Sequence, residues 1–398
     1  MLAERMSRIS ASPTLKVLVE AEKLRQQGVD VVEFGAGEPD FPTPDHVKAA
    51  AHAAIDANFT KYTPAAGTGE LKQAIATRYK NLYGIDYKAN EVIVSAGGKQ
   101  ALYDIAIVLF GAGDEVITHA PYWPTLTEQV KLADATPVLV HTYAEDGFKI
   151  TAQPILNAVT PNTRAVIINS PCNPTGALMN EEEMTRLADG LKDTNIWVIV
   201  DLCYEQLIYE AIPHNLPKVL ADKMKDRTIL CGSASKSYSM TGWRCGWAVG
   251  PAEVISACNA IQSHSTSNVS SISQKAAFAA VTGPQGFVKE MLEEYRKRRD
   301  ALHGWLTADP RIKCVKPAGA FYLFIDITAL LAATGIKTSA EFADKLIEES
   351  YVVTTAGEAF DAPGFLRISY ANSLERLKEA CDRLSAFVKK YEAVAAGR

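Results

Sequence analysis

Seven short apolar, β-branched runs recur between residues 90 and 250, and they restrict this chain more than any other feature. They are Val92–Ser95, Glu115–Thr118, Pro137–Val140, Ala165–Asn169, Trp197–Asp201, Thr228–Cys231 and Gly246–Val249. Helix-compatible stretches such as Lys99–Phe110, Pro124–Ala133 and Glu181–Lys192 lie between most of them. A strand that is apolar along its whole length must be covered on both faces, and the intervening helices supply the covers. The pattern predicts an α/β fold with a mostly parallel, seven-stranded sheet wrapped by helices. In such sheets a ligand settles beyond the carboxyl ends of the strands. The loops after Ser95, Thr118, Asn169, Asp201 and Cys231 are therefore expected to meet at one site.

At 398 residues the chain exceeds one ordinary domain. Residues 14–27 have helical apolar spacing and stop at Gly28, a helix-ending residue. The run Val29–Phe34 leads into Gly35–Pro44, whose Pro and Gly content forbids a helix or a central strand. Helices are expected over 45–57 and Glu70–Tyr83, with the Pro/Gly loop Lys61–Gly67 between them. Glu253–Thr307 is helix-rich. From Ile312 the pattern becomes α+β: strand Phe321–Ile325, helix Ser339–Glu349, strands Val352–Thr354 and Phe365–Ser369, and helix Ser373–Tyr391. The expected division is a large domain, 45–305, and a smaller α+β domain built from 1–44 and 306–398.

A net charge of −5 gives no basic footprint for nucleic acid or an anionic membrane. No apolar run approaches the roughly 20 residues of a membrane span. Met1–Ser12 carries charges and has no apolar signal region. The seven cysteines are scattered, without a CxxC pair or zinc spacing, as expected of reduced thiols in a cytoplasmic protein.

The segment Ser233–Trp247 sets one lysine, Lys236, among small hydroxylated residues directly after an apolar run, with Arg244 eight positions on. Burial would disfavour the ammonium and produce an amine able to form a Schiff base, while the serines and arginine suit a phosphate. That pairing points to pyridoxal phosphate, whereas a surface lysine in a Ser-rich loop is the competing structural reading. The other sheet-edge loops weigh on the choice. Gly97-Gly98-Lys99-Gln100 opens a helix and forms a phosphate cradle of backbone N–H groups. Trp123 can stack on a planar ring or pack in the core. The turn Ser170–Gly176 offers Asn173. Asp201 ends a strand three residues before Tyr204, and can hold a pyridinium nitrogen or cap a helix.

Taken together, these motifs resemble the fold-type I, pyridoxal-phosphate-dependent class I/II aminotransferases. The resemblance is closest to the bacterial subgroup of aspartate and prephenate aminotransferases, and runs from Gly-Glu-Pro-Asp-Phe (37–41) to Arg367-Ile368-Ser369-Tyr370-Ala371. It implies that Lys236 carries the Schiff base and shuttles the proton. Asp201 would partner the pyridine nitrogen, and Tyr204 and Asn173 the ring oxygen, with Trp123 stacked on the ring. Gly98, Lys99, Ser233 and Arg244 would hold the phosphate. Tyr62 would reach the phosphate of a neighbouring subunit, which implies a homodimer with shared active sites. Arg367 would grip the substrate α-carboxylate beside Gly37 and Asn173. Lys99 is the candidate for a distal carboxylate, and a solvated helix-start lysine is its alternative. Thr14 matches a position associated with prephenate. The family usually has Glu after this aspartate, whereas Leu202 stands here.

The resulting expectation is an aminotransferase moving the amino group of an L-amino acid, most simply aspartate, to 2-oxoglutarate by a ping-pong mechanism. Prephenate or aromatic transamination is the nearest alternative, and a β-lyase or decarboxylase of the same fold the next. An aminotransferase-like sensor domain of a regulator would need a DNA-binding module, for which residues 1–30 leave no room.

Overall fold

The computed structural model describes residues 4–10, 13–35 and 37–396. Its strands in chain order are β1 Val32–Glu33, β2 Val92–Ser95, β3 Glu115–Ala120, β4 Thr136–His141, β5 Thr163–Asn169, β6 Trp197–Asp201 and β7 Thr228–Ser233. These are followed by β8 Gly246–Val249, β9 Lys313–Cys314, β10 Tyr322–Asp326, β11 Val352–Val353, β12 Thr355–Ala356 and β13 Phe365–Ser369. All seven apolar runs are strands of a single sheet, in the order β2-β8-β7-β6-β5-β3-β4. Pairing is parallel except at β8, which is antiparallel to both β2 and β7.

Continuous apolar runs work here because the two faces of the sheet feed two separate cores. Ile93, Val116, Ile167, Ile199 and Ile229 pack on one side with residues of helices Gly98–Leu109, Thr125–Leu132 and Ala252–Ser265. Val92, Val94, Val166, Val198, Leu230 and Trp247 pack on the other with helices Gly69–Tyr83, Glu181–Leu191 and Leu216–Met224. Each fully buried aliphatic side chain contributes about 1.5–3 kcal/mol, and no solvated face remains to impose alternation.

A four-stranded antiparallel sheet, β12-β13-β10-β9, and the parallel pair β1–β11 lie beside a third core. That core joins Val32 and Phe34 to Leu323, Ile325, Leu366 and Ile368, and also takes in Tyr204 and Leu207. The expected strand Val352–Thr354 forms over Val352–Val353, and a further short strand, Thr355–Ala356, follows it. Val352 and Val353 pair with β1, whereas Thr355 and Ala356 pair with β13.

The seven cysteines are all free thiols. Among the described residues, no helix is long and apolar enough to cross a membrane, and no cluster of side chains could hold a metal ion.

Candidate active site

A cavity of about 420 Å³ opens at the carboxyl ends of β5, β6 and β7, where it meets β10, β13 and the segment following β1. Gly37, Gly98, Lys99, Trp123, Asn173, Asp201, Tyr204, Ser233, Lys236, Arg244 and Arg367 all line it. Two expected residues are not part of this wall. Tyr62 is 91% exposed in its loop, away from the cavity. The side chain of Thr14 lies outside the described residues.

One end of the cavity is a cationic cradle. Gly97 caps helix Gly98–Leu109 with φ +90, and a Cβ there would stand 2.4 Å from Arg244 Nη2. Gly246 is equally constrained, since its Cβ would come within 2.3 Å of Gly98 N. The missing methyl groups let the helix start, β8 and the guanidinium converge. Arg244 itself has φ +52 and donates from Nη1 to Thr241 O (3.0 Å) and from Nη2 to Ala96 O (3.2 Å). Ser233, the last residue of β7, accepts from Ser235 N–H at 3.0 Å. The first N–H groups of the helix have no intrahelical acceptor, so this end collects donors and positive charge around an anion-sized space.

In the centre, Lys236 sits on the one-turn helix Ala234–Ser237 and donates from Nζ to Gly37 O. Burial lowers its pKa, and Arg367 and Arg244 add to the effect against the opposing pull of Cys203 and Glu38. Asp201 ends β6 opposite Asn169 and accepts from Cys203 N–H at 3.0 Å. Burial raises its pKa to about 6, although the Cys203 N–H and Lys236 pull the other way. A carboxylate in this state is better satisfied by a cationic N–H donor than by water. Burial also pushes the Tyr204 phenol up, and its hydroxyl lies 2.9 Å from that of Tyr322.

At the other end, Arg367 is only 3% exposed on β13. Its Nη1 donates to Asn173 Oδ1 and its Nη2 to Gly35 O, both at 3.0 Å. Nε is buried with no partner, and the guanidinium lies 4.3 Å from the Tyr322 ring centroid. Lys99 holds Nζ 5.0 Å from the Trp123 ring centroid. Its pKa is lowered by desolvation, with a further contribution from Arg244.

Sequence reasoning did not single out Tyr322, Glu38 or Cys203, which also line the cavity. Tyr322 falls within the expected strand Phe321–Ile325. The hydroxyl in an otherwise apolar run was the available signal. Glu38 belongs to the Gly/Pro segment and accepts from Thr241 Oγ1 at 2.7 Å.

A chamber lined by an anion cradle, a lysine of lowered pKa, a buried carboxyl group and a buried guanidinium is suited to a carbonyl cofactor and a carboxylate substrate. Residues 29–384 match the family model for aminotransferase class I and II. The aspartate aminotransferase of Bacillus sp. (strain YM-2) is 43% identical over 98% of this chain and 99% of its own. The aspartate/prephenate aminotransferase of Cereibacter sphaeroides is 42% identical over 97% and 98%. Among solved structures, the Thermus thermophilus aspartate aminotransferase with maleate superimposes with a TM-score of 0.92 at 38% identity, covering 97% of this chain and 99% of that one. The chain belongs to the class I and II aminotransferases. It is a transaminase of fold type I and depends on pyridoxal phosphate.

The cavity suits that cofactor on its own chemistry. The cradle collects donors that suit a phosphate, Asp201 forms no ion pair among the described residues, and Lys236 lines the same cavity.

Proposed function

We propose that this enzyme transfers the amino group of aspartate to 2-oxoglutarate by a ping-pong mechanism, with prephenate as a further acceptor to be tested. The observation that carries the reading is Arg367, a buried guanidinium with an unpartnered Nε, facing the same chamber as Lys236 and Lys99. Arg367 binds the α-carboxylate of the amino acid together with Gly37 and Asn173, its planar fork matching the two oxygens. Lys99 meets the distal carboxylate, with its charge held over Trp123. The relatives named for aspartate, and the similar enzyme solved with maleate, a dicarboxylate, support that assignment.

Gly98, Lys99, Ser233 and Arg244 would hold the cofactor phosphate, with Trp123 against its ring. Asp201 would keep the ring nitrogen protonated, and Tyr204 and Asn173 would partner the ring oxygen. Pyridoxal phosphate supplies the electron sink that makes deprotonation at the substrate Cα accessible. Lys236 Nζ, whose ammonium form is disfavoured by burial, takes the proton from Cα and holds it.

Two domains, 45–305 and 1–44 with 306–398, would bring Arg367 and Gly37 to the cofactor residues, a division supported by the separate sheets and by β1 pairing with β11. The near-complete exposure of Tyr62 supports a homodimer in which this residue serves the partner's phosphate, and the seven free thiols support a cytoplasmic location.

Aspartate alone, added to the cofactor-loaded enzyme, should convert the cofactor absorption to that of the aminated form and stop after one half-reaction. Adding 2-oxoglutarate, oxaloacetate or prephenate then identifies the acceptor by restoring the original spectrum. Continued turnover without a keto acid would indicate a lyase or decarboxylase. Conversion by aromatic or aliphatic amino acids but not aspartate would remove Lys99 from the distal site.

A further inference from the structure

Behind the cavity wall lies an ion pair that none of the roles above uses. Arg78, near the end of helix Gly69–Tyr83, donates from Nη2 to Glu205 Oε1 at 2.7 Å, and the two side chains are 6% and 2% exposed. Arg78 Nη1 also donates to the Tyr238 hydroxyl at 2.8 Å, and that hydroxyl donates to Gln285 Oε1 at 3.0 Å. Tyr83 donates its hydroxyl proton to the second oxygen of Glu205.

What matters is where these partners sit in the chain. Glu205 directly follows Tyr204, in a turn closed by Glu205 N–H donating to Leu202 O at 3.0 Å. Tyr238 lies two residues beyond Lys236, with its N–H bonded to Ala234 O at 3.2 Å. One planar guanidinium thus reaches both the turn that carries Asp201 and Tyr204 and the segment that carries Lys236. A buried ion pair adds little net stability over an apolar replacement. It does add direction, because each end of the fork accepts only one arrangement of its partners.

We propose that Arg78, with Glu205, is a positioning residue for transamination: it fixes the Asp201–Tyr204 turn relative to Lys236. It touches neither cofactor nor substrate. The inference rests on the roles given above to Lys236, Asp201 and Tyr204, and it names the structure behind them.

The test compares Arg78→Met, Arg78→Lys and the double variant Arg78→Met/Glu205→Gln as cofactor-loaded enzymes. The readouts are half-reaction rate and substrate affinity, the pH dependence of the cofactor absorption, and Tm. Rates are measured with whichever amino acid the wild type converts fastest, so a wrong substrate assignment and a wrong positioning role give different results. Arg78→Met should lower Tm and slow the half-reaction by about 10- to 100-fold with substrate affinity nearly unchanged, the scale expected for a small misplacement of reacting groups. Arg78→Lys should recover part of the rate.

The double variant decides the matter, since it leaves no buried charge unpaired. If the pair positions the catalytic groups, its Tm recovers while the rate stays low and the spectral pH transition stays shifted. Recovery of the wild-type rate together with Tm would overturn the proposal, as would a wild-type rate in Arg78→Met measured below its Tm.

Discussion

Asp201 is a carboxyl group buried where its charge is disfavoured until a cationic partner arrives, and this makes a quantitative prediction for the cofactor-free protein. Its pKa rises from 3.8 to about 6, chiefly through burial. A rise of that size corresponds to about 3 kcal/mol working against the charged form. Because the pKa is higher in the folded protein than in the unfolded chain, the folded state binds the extra proton. That contribution to stability is fully present below 3.8 and is lost as the pH climbs through about 6. Asp201→Asn cannot titrate, yet keeps an oxygen to accept the Cys203 N–H. The variant should therefore be more stable than the wild type by up to about 3 kcal/mol at about pH 8, with the gap closing towards about pH 4. Urea unfolding of both proteins, stripped of cofactor, measures the difference at each pH. The same substitution should abolish transamination, so stability and activity move in opposite directions. A variant less stable than the wild type at both pH values, or a gap that does not narrow on acidification, would refute the reasoning.

Three further outcomes follow from the site. Arg367→Lys keeps the charge but loses the fork, so kcat/KM for the amino acid should fall by about 10²- to 10³-fold while the cofactor spectrum is unchanged. Gly97→Ala puts a methyl 2.4 Å from Arg244 Nη2 at a positive φ, and equilibrium dialysis should show cofactor affinity weakened at least about tenfold. Tyr62→Phe should weaken cofactor binding in the proposed homodimer. Mixed dimers with Lys236→Ala chains should regain native affinity in their one competent site, because there the partner supplies the tyrosine. Affinity that stays weak in those dimers would place Tyr62 in its own chain's site.

The large sheet was readable because its strands are buried on both faces, which writes them as unbroken apolar runs. The direction of β8 was not readable, since Gly246–Val249 has the same apolar pattern as its parallel neighbours. Nor could the run at Val352–Thr354 reveal that Thr355–Ala356 forms a further strand with another partner, because a short run does not record which partner each residue will meet. The cavity residues were legible where they sit in loops with distinctive Gly, Pro, Ser or Lys content. Tyr322 was not, because its partners, the Tyr204 hydroxyl and the Arg367 guanidinium, come from strands and turns far away in sequence. Arg78 and Glu205 lie 127 residues apart, and nothing in either segment alone marks them as partners. Only folding brings them together and removes their water.

The reversed direction of β8 has a further consequence for Lys236. Ser233 and Gly246 stand opposite each other at the sheet edge, so residues 234–245 leave the sheet and re-enter it at one place. The lysine is carried on a closed handle, clamped at both ends by the ladder. It cannot follow a bulky substrate outward by moving its backbone. Every atom it serves must lie within the sweep of one side chain turning about a fixed Cα. Tolerance for larger amino acids would have to come from cavity residues outside this handle, among them Lys99 and Trp123. Efforts to broaden this enzyme's substrates should begin there.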